Sequence, residues 1–209
     1  MFFKRLILGA FETNSYLLGN DDVSIVVDPA ECESEMVDFL NSAKGERLIL
    51  LTHAHCDHIK GASELRRLTG SKIAIHFLDG DGTNDAKINL SSYFSFNCPS
   101  FSADILLKDN EVLTFNNTSV TVLHTPGHTK GSACFIIDNL LISGDTLFEM
   151  SIGRTDFPGG SFEEIIGSLN KLSTLDESLK VCPGHGEMTT IGREKRNNPF
   201  LKGNRNEFM

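Results

Sequence analysis

The run Thr52-His53-Ala54-His55-Cys56-Asp57-His58-Ile59-Lys60-Gly61 puts three histidines and a carboxylate into one short stretch. In an extended chain, residues two apart point the same way. His53 and His55 can therefore face one metal ion. Asp57 and His58 follow as the chain turns and can face a second ion nearby. Imidazole nitrogen and carboxylate oxygen are ligands that zinc, manganese and iron all accept. Histidines gathered this tightly point to a metal or to a proton switch rather than to a merely polar loop. Cys56 falls on the opposite side of the alternation and reads as small filler beneath the loop.

Such a site needs a rigid base. Leu48-Ile49-Leu50-Leu51, just before it, is short and apolar throughout, the mark of a buried strand. Residues 62–68 behind it read as a helix stopped at Gly70. The histidines thus occupy a strand-to-helix loop at the carboxyl end of a strand, where open α/β sheets hold their ligands. Upstream, 2–8 predicts a strand, and 15–18 with 23–27 a hairpin around Gly19-Asn20-Asp21-Asp22. A helix is expected over 34–43, with Met36, Val37, Phe39 and Leu40 as its apolar set, and another strand over 72–76. This alternation is an α/β pattern.

Residues 79–109 are less regular. Gly80, Gly82, Asn84, Asn89 and Pro99 punctuate them, and Phe94, Phe96 and Phe101 are scattered through them. The composition predicts a long loop with short helical turns, which either walls the site or packs its own aromatics at the surface. Order returns with hairpins over 112–115 and 119–123, then 133–137 and 140–143. Ser161 and Glu164 form a capping box for a helix over 162–172. A last strand is expected over 179–181, and a final helix over 190–197 ends ahead of Pro199. No linker-like composition divides the chain, so residues 1–209 are read as a single domain.

Three further turns sit at the ends of predicted strands: His124-Thr125-Pro126-Gly127-His128, Ser143-Gly144-Asp145-Thr146 and Cys182-Pro183-Gly184-His185-Gly186. With them, His-x-His-x-Asp-His-x-x-Gly resembles the signature of the metallo-β-lactamase-fold hydrolases. The resemblance implies an αββα sandwich, two mixed β-sheets with helices on the outer faces. It also implies the ligand set: His53, His55 and His128 for one ion, Asp57, His58 and His185 for the other, and Asp145 bridging both. His124 is expected to orient a neighbour rather than bind metal. His76 has no partner visible in the sequence and is expected at the surface or otherwise satisfied.

Gly144-Asp145-Thr146-Leu147-Phe148, followed by Gly153-Arg154, is similar to the type II glyoxalases, the hydroxyacylglutathione hydrolases. Met188-Thr189-Thr190-Ile191-Gly192 and Asn198-Pro199-Phe200-Leu201 resemble the ending of their short bacterial relatives. That resemblance implies hydrolysis of thioesters such as S-lactoylglutathione by two divalent metal ions, zinc foremost, with iron or manganese as alternatives. Asp57 would orient the attacking water and accept its proton. Arg154 would contact glutathione, unless it pairs with Asp156 and fixes its own loop. Zinc β-lactamases generally lack an aspartate at the position of Asp145, so β-lactam hydrolysis is not expected. Gly153-Arg154-Thr155-Asp156-Phe157 also resembles persulfide dioxygenases, in which a single iron would sit on His53, His128 and Asp145. A lactonase or phosphodiesterase of the same fold is the remaining alternative.

Composition narrows the partners. Of 209 residues, 40% are hydrophobic, enough for a sizeable core, and the net charge is −9. That charge argues against nucleic acid, whose phosphates need a basic face. No stretch approaches the ~20 apolar residues of a membrane span. A small-molecule substrate is the expected partner, with the chain a monomer or a homodimer. Five widely spaced cysteines do not make a disulfide framework, and no secretory pattern opens the chain. A cytoplasmic, reducing setting is expected.

Overall fold

A computed structural model describes residues 1–201. Strands β1 (Phe2–Leu8), β2 (Thr13–Gly19) and β3 (Val23–Val27) lie side by side and antiparallel. Helix α1 (Ser34–Asn41) returns the chain to β4 (Glu46–Leu51), which joins β3 in parallel. A helical turn α2 (Cys56–Ile59) and helix α3 (Ala62–Thr69) lead to β5 (Lys72–His76), parallel to β4. A 3-10 segment over Phe77–Thr83 and the short α4 (Ser91–Phe94) precede β6 (Ile105–Leu107), which pairs in parallel with β5 and completes the first sheet.

The second sheet begins as an antiparallel meander of β7 (Val112–Phe115), β8 (Thr118–His124), β9 (Ala133–Ile137) and β10 (Leu140–Gly144). A small ribbon, β11 (Leu147–Phe148) with β12 (Ser151–Ile152), and helix α5 (Phe162–Leu172) follow. Then β13 (Lys180–Pro183) joins β10 in parallel, and β14 (Thr189–Thr190) and α6 (Ile191–Asn197) complete the second half.

The two sheets pack face to face, as the αββα expectation required. β4 shows why its sequence is apolar at successive positions. Leu48 and Leu50 point into the core between the sheets, against residues such as Val122 and Phe135. Ile49 and Leu51 point the other way, onto Met36 and Leu40 of α1 and Leu65 of α3. A strand covered on both faces has no polar side to show. The second sheet repeats the plan, with Leu141 and Val181 packed against Leu169 and Leu172 of α5 and Ile191 of α6. Each such side chain contributes about 1.5–3 kcal/mol by leaving water. Gly70, at φ 68, ends α3 in the left-handed conformation. The Ser161 side chain accepts from the Glu164 amide at 3.2 Å and caps α5.

β6 lies inside the stretch expected to be a loop. It is three residues long, and its pairing with β5 depends on a distant strand, so nothing local marks it. The last eight residues of the span read as one domain lie outside the described ones. Among the described residues no helix is long and apolar enough to cross a membrane, and all five cysteines are free.

Candidate metal centre

The loops after β4, β8, β10 and β13 meet at one end of the sandwich. β4 ends one residue before Thr52-His53, and the extended link to α2 carries His53 and His55. Asp57 and His58 fall in the single turn of α2. The parallel register of Gly144 with Pro183 brings Asp145, after β10, beside Gly184 and His185, after β13. His128 enters from the loop after β8.

The polar atoms converge. His55 Nδ1 lies 3.1 Å from His53 Nε2 and 2.9 Å from His128 Nε2. His58 Nε2 lies 3.3 Å from His185 Nε2. Asp57 Oδ2 is 3.4 Å from His58 Nε2 and 3.3 Å from His185 Nε2. Between them, Asp145 Oδ1 is 3.5 Å from His58 Nε2, while Oδ2 is 3.5 Å from His128 Nε2 and 3.7 Å from His185 Nε2. His53, His55 and His128 form one group able to hold an ion, and Asp57, His58 and His185 another; His53, His58 and Asp145 overlap both, with ligand atoms within 4.8 Å of one another in each group. All seven residues expected from the sequence are thus brought together.

The far side of each ring explains the near side. His128 Nδ1 donates to the Arg154 carbonyl at 2.8 Å, and His185 Nδ1 to the Phe11 carbonyl at 3.0 Å. His58 Nδ1 donates to Asp28 Oδ2 at 2.9 Å. His53 Nδ1 donates at 3.0 Å to the Thr52 hydroxyl, which itself donates to Asp28 at 2.6 Å. These acceptors fix the tautomer and leave each Nε2 lone pair facing inward. His55 is turned over, with Nδ1 inward and Nε2 buried without a partner among the described residues. Asp145 Oδ1 is likewise buried with no hydrogen bond. Lone pairs that crowd to about 3 Å with no proton between them repel, and a divalent cation is the species that reconciles them. The donor set therefore fits two such cations. The backbone leaves them room: a Cβ on Gly184 would lie 2.1 Å from Asp145 Oδ1 and 2.7 Å from the His58 ring. Gly144, at φ 48, passes so close to Thr52 that a Cβ would lie 2.5 Å from its hydroxyl.

Burial first, then the neighbouring imidazoles, hold His53 and His55 far below the usual histidine range. For His58 burial works the same way, but the carboxylates of Asp57, Asp145 and Asp28 outweigh it and raise the ring to about 10, so a cation that takes the His58 Nε2 lone pair displaces a proton from it. Burial opposes ionisation of Asp57, yet His58 and His185 hold its carboxyl well below the ordinary range. Cys56 is buried outside the cluster, and burial pushes its thiol up to about 12.

Two aspartates escaped the sequence analysis. Asp28, directly after β3, has φ 48, a left-handed conformation costly for a residue with a Cβ. Its carboxylate takes the Thr52 amide at 2.8 Å as well as the contacts above, so it sets both Thr52 and His58. An acidic residue ending an apolar strand was the available signal. Asp79 lies in the irregular segment and had none. Its buried carboxylate accepts from the Ala54 amide at 3.0 Å, the Thr129 hydroxyl at 2.7 Å and the Gly131 amide at 2.6 Å. It thereby ties the His53–His55 link to the loop that carries His128.

Arg154 lies outside the cluster. Its Nε and Nη2 donate to Asp156 at 2.7 and 2.6 Å, and its guanidinium stands 3.9 Å over the Phe157 ring. His124 Nε2 donates to the Lys130 carbonyl at 2.8 Å, and its ring stacks on His76 at 4.1 Å. His76 is buried, not at the surface, and its Nδ1 has no partner among the described residues.

Comparison with known proteins agrees with this geometry. Residues 8–185 match the model of the metallo-beta-lactamase superfamily. The chain is 32% identical to hydroxyacylglutathione hydrolase GloC of Haemophilus influenzae, over 92% of this chain and 94% of that one. It is similar in structure to BLEG-1, a B3 metallo-beta-lactamase, with a TM-score of 0.88 and 37% identity over 97% of this chain and 100% of that one. TTHA1623 in a di-iron-bound form gives 0.83 and 30%, covering 95% of this chain and 100% of that one. With a family match across most of its length, and a cluster suited to divalent metal, the chain belongs to the metallo-β-lactamase superfamily, a membership that supports a metal-dependent hydrolase.

Proposed function

We propose that the chain is a dinuclear metal-dependent hydrolase of thioesters, with S-lactoylglutathione as its reference substrate. The observation that carries this reading is Asp145, whose Oδ1 faces His58 of one ligand group and whose Oδ2 faces His128 of the other. In this reading His53, His55 and His128 hold one cation, Asp57, His58 and His185 the second, and Asp145 both. Zinc is the first choice; the likeness to a di-iron protein keeps iron beside it, and the same ligands accept manganese. When bound, the cations polarise the thioester carbonyl and supply a water whose pKa is lowered to about 7.

The chain's own residues do the rest. Asp57, steadied by the Thr13 hydroxyl at 3.1 Å, orients the attacking water and accepts its proton. The water oxygen bonds to the carbonyl carbon, the carbon–sulfur bond breaks, and the electron pair leaves with sulfur. The proton held by Asp57 passes to the thiolate, giving a carboxylic acid and a thiol. The name of GloC supports a thioester substrate. The five free cysteines suit a reducing, cytoplasmic setting, and residues 1–209 act in this reading as one domain. A second reading, β-lactam hydrolysis, is favoured by the likeness to BLEG-1.

Metal analysis and thiol release test the proposal together. Two metal ions per chain and release of glutathione from S-lactoylglutathione are expected of the zinc-loaded protein. One iron per chain, with oxygen consumed on glutathione persulfide, would overturn it. Faster opening of nitrocefin than of any thioester would hand the site to the second reading.

A further inference from the structure

The hollow in front of the cluster encloses about 480 Å³. Beyond the cluster itself, its walls are largely apolar: Phe11, Leu90, Phe94, Phe148, Ile152 and Phe157. The rings form a chain around the reacting end. Phe94 meets Phe11 edge-on at 5.1 Å and Phe157 at 6.1 Å, and Phe157 meets the His55 ring at 5.9 Å. On the other side Phe148 lies 6.3 Å from His185. Phe11 and Phe94 remain 40% and 41% exposed, large apolar surfaces left uncovered at the mouth of a reactive site.

Phe94 is held there by the backbone. It closes α4, a four-residue turn bracketed by Leu90 at φ 65 and Ser95 at φ 55. Two non-glycine residues in the left-handed region within six positions are costly and persist only where the surroundings impose them. The surroundings are the metal loop: the Cys56 amide, between His55 and Asp57, donates to the Asn89 carbonyl at 2.8 Å. The Asn89 side chain in turn donates to the Gly82 carbonyl at 2.9 Å. The aromatic wall is thus fixed to the ligand loop.

The lining's charge is already answered. Outside the cluster its one charged residue among the described ones is Arg154, whose Nε and Nη2 are bonded to Asp156. An anionic tripeptide would meet a cation whose charge a neighbouring carboxylate already offsets.

We propose that this wall selects thioesters whose acyl group is apolar, with Phe94 as the residue that reads it; the inference rests on the thioester reading above. The acyl chain and the sulfur are both bonded to the carbon attacked at the cluster, but a polar, charged thiol such as glutathione gains little from an apolar wall, so the acyl group is the part that the rings can hold. Burying an aromatic acyl group against Phe94 and Phe157 gains both apolar area and edge-to-face contact.

The test uses the metal-loaded chain and thioesters that share a thiol or an acyl group. These are S-acetyl-, S-lactoyl- and S-phenylacetyl-N-acetylcysteamine, and S-lactoylglutathione. The phenylacetyl thioester should exceed the acetyl one in kcat/KM by about tenfold or more, and the two lactoyl thioesters should agree within about threefold. Phe94→Ala, at unchanged metal content, should shrink the phenylacetyl preference to within about threefold of unity, and Phe94→Leu should restore part of it. A preference for the glutathione thioester of about tenfold, or equal loss on all substrates in Phe94→Ala, would overturn the inference while leaving thioester hydrolysis standing. Hydrolysis of none of them by protein holding two metals would overturn both.

Discussion

His53, His55 and His128 are 1%, 4% and 3% exposed, whereas on the other side of Asp145 the side chains of Asp57 and His185 are 19% and 28% exposed. One half of the cluster is a dry pocket of three imidazoles. The other half is wetter and acidic, with Asp57 in it and Asp28 behind His58. In the dry half burial keeps His53 and His55 neutral, so their lone pairs stand ready for a cation. In the acidic half the carboxylates surround His58 with negative charge. The difference teaches that two neighbouring sites built from nearly the same ligand types are prepared by different physics: exclusion of water in one, concentrated charge in the other.

Removing the residue that joins the halves should have the largest effect. Asp145→Ala takes away the carboxylate between them and leaves two cations close together with less charge to offset them. Thioester hydrolysis should fall by about a thousandfold or more, since metal stabilisation of the transition state is worth several kcal/mol. Metal content should drop below two per chain. Near-normal turnover with full metal content would erase the distinction between halves and a bridge. A smaller effect is expected from graded chelation. Water and chelator reach Asp57 and His185 more easily, so the acidic half should empty first, giving a plateau at one metal per chain. Asp28→Asn should move that first step by about 10–100-fold in affinity, because it removes the charge that orients His58, and should move the second step less, since Asp28 reaches His53 only through the Thr52 hydroxyl. A single cooperative loss of both metals would mean that the two environments do not act separately.

The ligands were legible because their spacing is local. His53 to His58 sit within six consecutive residues, and each later ligand follows an apolar strand and a Pro- or Gly-marked turn. The sandwich was legible for the same reason, with β4 apolar on both faces and α1 apolar on one. What supports the ligands was not legible. Asp28 reaches His58 across thirty residues, and Asp79 joins Ala54 to Gly131 across the two halves of the chain. Such contacts depend on tertiary approach and leave no periodic trace. β6 was missed because a three-residue parallel edge strand is defined by its partner. The pairing of Arg154 with Asp156, two positions apart, could be weighed from the sequence, but only the structure supplies its geometry.

The smallest effect expected lies behind the dry half. His76 stacks on His124, which holds the Lys130 carbonyl in the loop that carries His128. Burial first, then the neighbouring His124 ring, lowers the His76 pKa to about 4; Lys171 adds to this and Asp109 works against it. The unfolded chain takes up the same proton near pH ~6.5. Between those values the unfolded state binds more protons than the folded one, so the contribution is intact above pH ~6.5 and is lost progressively as the pH falls toward 4. The metal ligands also titrate in acid, but they are common to the wild type and to a His76→Leu variant. The difference between the two proteins therefore isolates His76. On moving from neutral pH to pH ~5, the Tm of the wild type should fall a few degrees further than that of His76→Leu. Equal falls would mean that His76 takes its proton as readily folded as unfolded, and that the dry half draws no acid sensitivity from the histidine pair behind it.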